Sequence, residues 1–395
     1  MEKITLKDID FYGKAVLLRV DFNVPISDKT IKDDNRIIEA LPTIKYILEK
    51  GGKLILMSHL GRPDGKFDRK YTLRPVYNRL KELLPDTRVI FSKDVVGEDS
   101  VKKSQALNIG DVLLLENLRF EAGEEANDPE FCKKLASLAE VYINDAFGTA
   151  HRKHASTYGV AKILPSGMGF LIEKELKAIC GAIENPKHPF VVVLGGAKIS
   201  DKIGIVRHLL DIADTILIGG GMAYTFLKAM GHEIGESLLE EEKIDFAKEV
   251  LKTAEHKGVN IVLPVDHIVG KNSNDTFGKV INDIDVPAGY MGLDIGPKTA
   301  KIFYKTIKRA KTVLWNGPVG FFDEKNEAYN NGTLTVAKAM AKCKGTTIVG
   351  GGDTGEAMLK SGYAKKITHI STGGGASLKL FEGKILPGVD IIQNK

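Results

Sequence analysis

Short apolar runs alternate with amphipathic stretches along the whole chain, and almost every apolar run stops at polar or glycine residues. NRIIEALPTIKYILEKGG sets Ile37, Ile38, Leu41, Ile44, Ile47 and Leu48 at helical spacing and ends at Gly51-Gly52. TLRPVYNRLKELLP repeats the arrangement with Leu73, Val76, Leu80, Leu83 and Leu84. DPEFCKKLASLAE opens with Asp128 as an N-cap and Pro129 at the first helical position. Strand, helix and strand at this spacing predict right-handed βαβ units and a mostly parallel sheet. GFLIEKELKAICGAIENP, closed by Asn185-Pro186, predicts a longer helix, and the domain junction falls on it near residues 170–189. HPFVVVLGGAK then starts a second series. In it ISDKIGIVRHLLDIA, MAYTFLKAMG, EEEKIDFAKEVLKTAEHKG and EAYNNGTLTVAKAMAKCKG read as helices, and VNIVLPVDHIVG and KTVLWNGPVG as strands. The expectation is an α/β chain of two similar-sized domains, each a mostly parallel sheet flanked by helices.

The chain has 395 residues, 43% of them hydrophobic, which is too many for one ordinary core. The net charge of +5 is small and its lysines are dispersed, so no concentrated basic stripe points to nucleic acid. The arginines are different. Arg19, Arg36, Arg62, Arg69, Arg74, Arg79, Arg88, Arg119 and Arg152 all precede residue 153, leaving Arg207 and Arg309 behind it. Arginine suits bidentate recognition of carboxylate and phosphate, so the first half is the anion-selecting half. Cys132, Cys180 and Cys343 lack metal-type spacing and read as inert thiols of a reducing compartment. The N-terminus has no apolar signal-like region and no run reaches membrane-spanning length, so a cytoplasmic protein is expected.

Open α/β sheets bind ligands beyond the carboxyl ends of their strands. In the first half those ends carry Asp21 and Asn23, His59 and Arg62, Arg119, and Arg152, with Arg36 opening the first helix. Asp21 and Asn23 alone would be turn residues. Four arginines around one cleft repel one another unless an anion sits among them, so a small polyanion is expected, with the carboxylate and amide orienting a hydroxyl. His151 and His154 are weaker candidates, equally suited to supporting roles.

In the second half the strand ends carry Gly195-Gly196 and three triple-glycine turns at 219–221, 350–352 and 373–375. Glycine there lets backbone N–H groups approach a phosphate, aided by the positive end of the following helix. Each loop alone is equally a tight turn; together they point to a nucleotide. The pattern GxxxxGK followed by Ser or Thr is absent. GxGxxG occurs at Gly350, Gly352 and Gly355, but the acidic residue required about 20 positions on is replaced by glycines, which excludes a dinucleotide dehydrogenase. Asp353 reads as a carboxylate for Mg²⁺ on the phosphates, as a helix N-cap, or as both. Lys198 and Lys202, four apart at a helix mouth, are expected to face one side and meet phosphate. Asn316, Gly317 and Pro318 shape a wall, and Asp323 can bond ribose hydroxyls.

RVDFNVP, SHLGRPDG, LLLENLRF, INDAFGTAHR, LGGAKISDKI, GGGMAYTF, YMGLD, LWNGPVG, GGGDT and STGGGASLKLFEGKILPG, in this order, resemble the phosphoglycerate kinase family from about residue 4 to the C-terminus. The resemblance implies two Rossmann-like domains joined by a long hinge helix. They are residues 1–175 for 3-phosphoglycerate and 176–379 for Mg-nucleotide, with the tail 380–395 packing back on the first. It implies a 3-phosphoglycerate site of Asp21, Asn23, Arg36, His59, Arg62, Arg119 and Arg152. It implies a nucleotide site of Lys198, Lys202, Gly292, Asn316, Asp323, Gly351, Gly352, Asp353 and Thr354, with Mg²⁺ on Asp353. Arg36, Lys198, Gly351 and Gly352 are the expected catalytic groups. The implied reaction is reversible phosphoryl transfer between MgATP and the carboxylate of 3-phosphoglycerate, giving ADP and 1,3-bisphosphoglycerate, in a cytoplasmic glycolytic enzyme expected to be monomeric. Two departures stand out: Asp323 where the family usually has glutamate, and Gly355-Glu356 after GGGDT where it has small residues. A non-catalytic nucleotide-sensing relative, or a kinase for another small phosphorylated acid, are the competing readings.

Overall fold

The computed structural model describes residues 2–323 and 326–395. The chain divides into two compact units, one running up to Leu176 and regaining Ile385–Lys395, the other Lys177–Lys384.

The sheet of the first unit contains β1 (Ala15–Arg19), β2 (Lys53–Met57), β3 (Val89–Phe91), β4 (Val112–Leu114), β5 (Val141–Asn144) and β6 (Ser166–Met168). They lie in the order β3-β4-β2-β1-β5-β6, every pair parallel. Both faces are covered, which is why these strands read as continuous apolar runs. Val16, Leu18, Leu54 and Leu56 pack on one side with Ile37, Ile44 and Leu80, while Leu17, Ile55, Leu113 and Tyr142 pack on the other with Leu135. The strand order reverses beside β1, which places the ligand-binding edge at Arg19 and the residues after it. The helix Asn35–Glu49 buries Ile37, Ala40, Thr43, Ile44 and Ile47. Ile38, expected inward, is exposed, because the sheet selects a narrower stripe than the apolar pattern offers. Asp128 caps the helix Pro129–Ala136 by accepting from Phe131 N–H at 2.8 Å.

The tail pairs with the N-terminal segment of the same unit. Ile4 N–H donates to Gln393 O, Asn144 Nδ2 donates to Gly388 O, and Leu386 and Ile392 are buried. The helix Phe170–Glu184 crosses the boundary between the units, and its first turn is capped by Asp145, whose Oδ1 accepts from Leu171 and Ile172 N–H.

The second unit contains β7 (Phe190–Leu194), β8 (Thr215–Ile218), β9 (Asn260–Val262), β10 (His267–Gly270), β11 (Lys279–Ile281), β12 (Met291–Ile295), β13 (Thr312–Asn316), β14 (Thr346–Gly350) and β15 (His369–Ile370). A second six-stranded parallel sheet runs β9-β8-β7-β13-β14-β15. Its order reverses between β7 and β13, so Gly195 and Asn316 stand at the switch point. VNIVLPVDHIVG, expected as one strand, is two. Pro264 cannot donate to a ladder, and Asp266 turns away to accept from Lys298 and Thr299 N–H. β10 therefore joins β11 and β12 in a small antiparallel sheet that the periodicity does not announce. Three expected helices also start later, each behind a 3₁₀ turn: Ile203–Leu209 after Ser200–Lys202, Ile244–Lys257 after Glu241–Lys243, and Asn331–Lys342 after Glu327–Tyr329.

Candidate active site

Beyond the carboxyl end of β1, Asp21 is nearly buried, and its Oδ2 accepts from Arg36 at 2.5 Å. Burial opposes its ionisation, but His59, Arg36 and Arg19, with the N–H of Asn23, together outweigh burial and hold Asp21 below the usual carboxylate range. Asn23 accepts from Gly61 N–H at 2.9 Å, which ties the first strand-end loop to the second. His59 follows β2 and is 6% exposed. Burial, reinforced by Arg19, Arg119 and Arg36 and opposed by Asp21, keeps it well below the ordinary histidine value and therefore neutral.

Arg119 is 5% exposed. Its NH1 donates to Gly61 O at 2.7 Å and its NH2 pairs with Glu125 at 3.1 Å, while its buried Nε has no partner. Burial, with Arg152 and Arg19 close by, pushes it below the usual arginine value against the pull of Glu125. Arg152 is half-buried, its Nε directed to His151 at 3.3 Å. Arg62 is exposed next to Gly61, with no ion-pair partner among the described residues. The expected cationic residues thus gather in one unit. His154 lies 3.9 Å from Glu124, and burial with Arg152 nearby pushes it down to about 4, a supporting position.

Arg19 was not among the expected ligands, although it ends β1 and touches His59 Nδ1 at 3.2 Å. Its place inside an apolar run masked it; the one available signal was an arginine where a buried strand should be apolar.

In the second unit the glycine loops interlock. Gly195 N–H donates to Asn316 O, Gly196 N–H to Pro318 O and Gly220 N–H to Val319 O. A Cβ on Gly220 would meet Gly196 N and O at 2.8 and 2.7 Å, so this glycine serves backbone packing. Gly351 and Gly352 are different. Gly351 caps the helix Gly352–Lys360 at φ 97°, and a Cβ on Gly352 would meet open space. That helix start therefore presents bare N–H groups. Thr354 is buried and accepts from Gly317 N–H at 2.7 Å; Asn316 Nδ2 donates to Gly350 O at 2.6 Å. Lys202 Nζ donates to Asn316 Oδ1. Burial lowers Lys202 while Asp201 and Asp353 oppose it, which puts the Asp353 carboxylate within its field.

Asp353 is exposed in the first turn, and Gly351, not Asp353, holds the N-cap position. The two lysines share no helix, since Lys198 is exposed in the loop and Lys202 ends a 3₁₀ turn. Gly292, on β12, donates its N–H to Ser237 Oγ at 2.9 Å and abuts Tyr224. Asp323 is held through its backbone by Asn330 at 3.1 and 2.9 Å. Glu356 turns to Lys360 on the solvent face, away from the helix start. Among the described residues no three acidic, histidine or cysteine side chains form a metal cage. One carboxylate beside a helix start with bare N–H groups suits a cation that takes its remaining ligands from the oxygens of a bound anion and water. No described helix is long and apolar enough to cross a membrane.

The family model for phosphoglycerate kinase matches residues 6–384. A phosphoglycerate kinase of Clostridium botulinum is 53% identical over 395 residues, 99% of each chain. One of Clostridium tetani is 52% identical over 397 residues, covering 100% of this chain and 98% of its own. The solved structure of phosphoglycerate kinase from Coxiella burnetii superposes with TM-score 0.90 at 39% identity, and that from Pyrococcus horikoshii with 0.78 at 35%, each covering 98% of both chains. The gathered arginines, the bare helix start and the match from end to end agree, and the chain belongs to the phosphoglycerate kinase family, whose enzymes transfer a phosphoryl group between ATP and 3-phosphoglycerate.

Proposed function

We propose that the first unit holds 3-phosphoglycerate and the second holds MgATP, with transfer driven by alignment and fixed charge. The observation that supports this best is Arg119, a buried guanidinium with one donor unpaired and two further arginines in its field. Such a charge calls for an anion of matching size. Arg62, Arg119 and Arg152 grip the non-reacting phosphate. Asp21 and Asn23 orient the 2-hydroxyl and carboxylate, and His59 adds a neutral donor.

A carboxylate with an ordinary value near 4 is already ionised at neutral pH, so no general base is needed. One carboxylate oxygen forms the new bond to the γ-phosphorus as the bond to the bridging oxygen breaks. ADP leaves with that electron pair and no proton moves. Arg36 and Lys198 contact the transferring group, and the N–H groups at Gly351-Gly352 share its developing charge. Lys202 follows the phosphates on the nucleotide side; Asn316, Gly292 and Asp323 border the nucleoside, and Thr354 steadies the loop. Asp353 would hold Mg²⁺, which when bound supplies positive charge to the nucleotide phosphates. Reaction requires the two units to approach, with the helix Phe170–Glu184 as the bending element.

The test is ADP production from MgATP with and without 3-phosphoglycerate, trapping the acyl phosphate with hydroxylamine. Acceptor-dependent ADP with trapped hydroxamate is expected. Turnover only with a different phosphorylated acid would overturn the substrate, and none with any acceptor would overturn the reaction.

A further inference from the structure

Arg19 is the largest charged side chain fully inside the protein, 1% exposed at the last position of β1. A guanidinium there needs its charge balanced and its donors used. NH1 donates to Val20 O, Nε donates to Ser156 Oγ at 2.8 Å, and NH2 meets His59 Nδ1 at 3.2 Å. Ser156 sits in a π-helical turn, Ala155–Gly159, and each of its own polar groups is committed. Its N–H and hydroxyl donate to the two oxygens of the fully buried Glu124, at 3.0 and 2.6 Å, and its carbonyl accepts from Tyr142 at 2.7 Å.

Arginine carries donors only and stays charged in proteins. The atom facing Arg19 NH2 must therefore accept, which leaves the single ring proton of His59 on Nε2. Asp21 does not compete: its Oδ1 lies 3.8 Å from Nδ1, beyond hydrogen-bond reach, and its Oδ2 is taken by Arg36. Ser156 gives its one hydroxyl proton to Glu124, so its lone pairs face Arg19 Nε and the chain of donors runs in one direction.

We propose that Glu124 and Ser156 are positioning residues of the acid-phosphate site, which through Arg19 hold His59 as the neutral tautomer protonated at Nε2. Nε2–H is then the one donor His59 offers an anionic ligand, and its direction is set from behind the site by groups that never meet substrate. The charged and titratable groups facing His59 are Arg19, Arg36 and Arg119, which disfavour its protonation, and Asp21, which favours it. Burial raises Glu124 while Arg19 and Ser156 oppose that, and either state leaves the donor at Arg19 NH2 unchanged. The substrate side of this inference rests on the reading of the cluster as the 3-phosphoglycerate site.

The experiment is nitrogen NMR of the full chain labelled at its nine histidines, with His59→Gln assigning the signal, beside kinetics of Glu124→Gln and Ser156→Ala. In the parent, His59 is expected to show an unprotonated Nδ1 and a protonated Nε2 from pH 6 to 8. In Ser156→Ala, whose folding is checked by thermal unfolding, the tautomer signals should broaden or exchange. The KM for 3-phosphoglycerate should rise about three- to tenfold with the KM for MgATP unchanged. Glu124→Gln retains an acceptor oxygen and should give the smaller effect of the two. A proton on Nδ1 of the parent His59, or an equal rise of both KM values in Ser156→Ala, would overturn the proposal. Failure of 3-phosphoglycerate to support turnover in the parent would overturn the substrate reading instead, because the tautomer is read without substrate.

Discussion

Arg119 enters the interior with three donor groups and satisfies two of them, through Gly61 and Glu125. The Nε left over is worth a charge-assisted hydrogen bond once an anion arrives, about 1.5–3 kcal/mol. Arg119→Ala is therefore expected to raise the KM for 3-phosphoglycerate about ten- to hundredfold, with KM for MgATP little changed. A matching rise for both substrates in steady-state kinetics would deny Arg119 its assigned ligand. Arg36 is tied to Asp21 and is proposed to contact the transferring group. Arg36→Ala should abolish turnover while calorimetric ADP affinity stays nearly intact; equal loss of ADP affinity would remove the two-site assignment. At this scale much was legible. His59, Arg62, Arg119 and Arg152 stand out because polar residues directly after buried strands need a reason. Arg19 was not legible, since its partner Ser156 lies 137 positions away and no local pattern reports that contact.

Elements carry the second kind of constraint. The helix Gly352–Lys360 begins with two glycines that differ in purpose. Gly351 sits at φ 97°, and a Cβ there would lie 2.7 Å from Asn316 Nδ2. Gly351→Ala should cost about 1–2 kcal/mol of stability and lower kcat, as seen in denaturant unfolding and kinetics. Gly352→Ala has room in the fold, so unfolding should not change, but the methyl should raise the KM for MgATP; a loss of stability would show that Gly352 is structural. The helix Phe170–Glu184 depends on Asp145. Burial pushes Asp145 up to about 7, against hydrogen bonds from Thr43 and the N–H groups of Ile172 and Leu171. A raised carboxyl keeps its proton longer in the folded state than in the unfolded one. Stability should thus fall as pH rises from about 4 to about 7, by up to about 1.4 kcal/mol per unit, and then level off. Asp145→Asn should flatten that part of the pH–stability profile, and an unchanged slope in urea unfolding would place the titration elsewhere. Strands buried on both faces and long helices showed in the apolar pattern. The antiparallel sheet did not, because VNIVLPVDHIVG is apolar throughout and only Pro264 and Asp266 divide it.

For the molecule as a whole, the return of Ile385–Lys395 to the first unit gives that unit a lasting stake in the far end of the chain. Leu386 and Ile392 are each 1% exposed, and burying an aliphatic side chain contributes about 1.5–3 kcal/mol. Ending the chain at Lys384 should lower the midpoint of the first unit's unfolding. The single tryptophan, Trp315, is in the core of the second unit and should report an unshifted fluorescence transition while circular dichroism shows the earlier loss. Transitions that move together would mean the tail stabilises both units alike. The residue types at each strand end were determined by the sequence alone, because anion recognition demands arginine and bare glycine N–H groups within short motifs. The tertiary structure decided the strand order that makes each switch point, the glycines that pack on backbone instead of facing a ligand, and the buried line from Glu124 to His59. Those depend on contacts between residues far apart in the chain, and periodicities of two or 3.6 residues record only which side of an element is buried, not what lies against it.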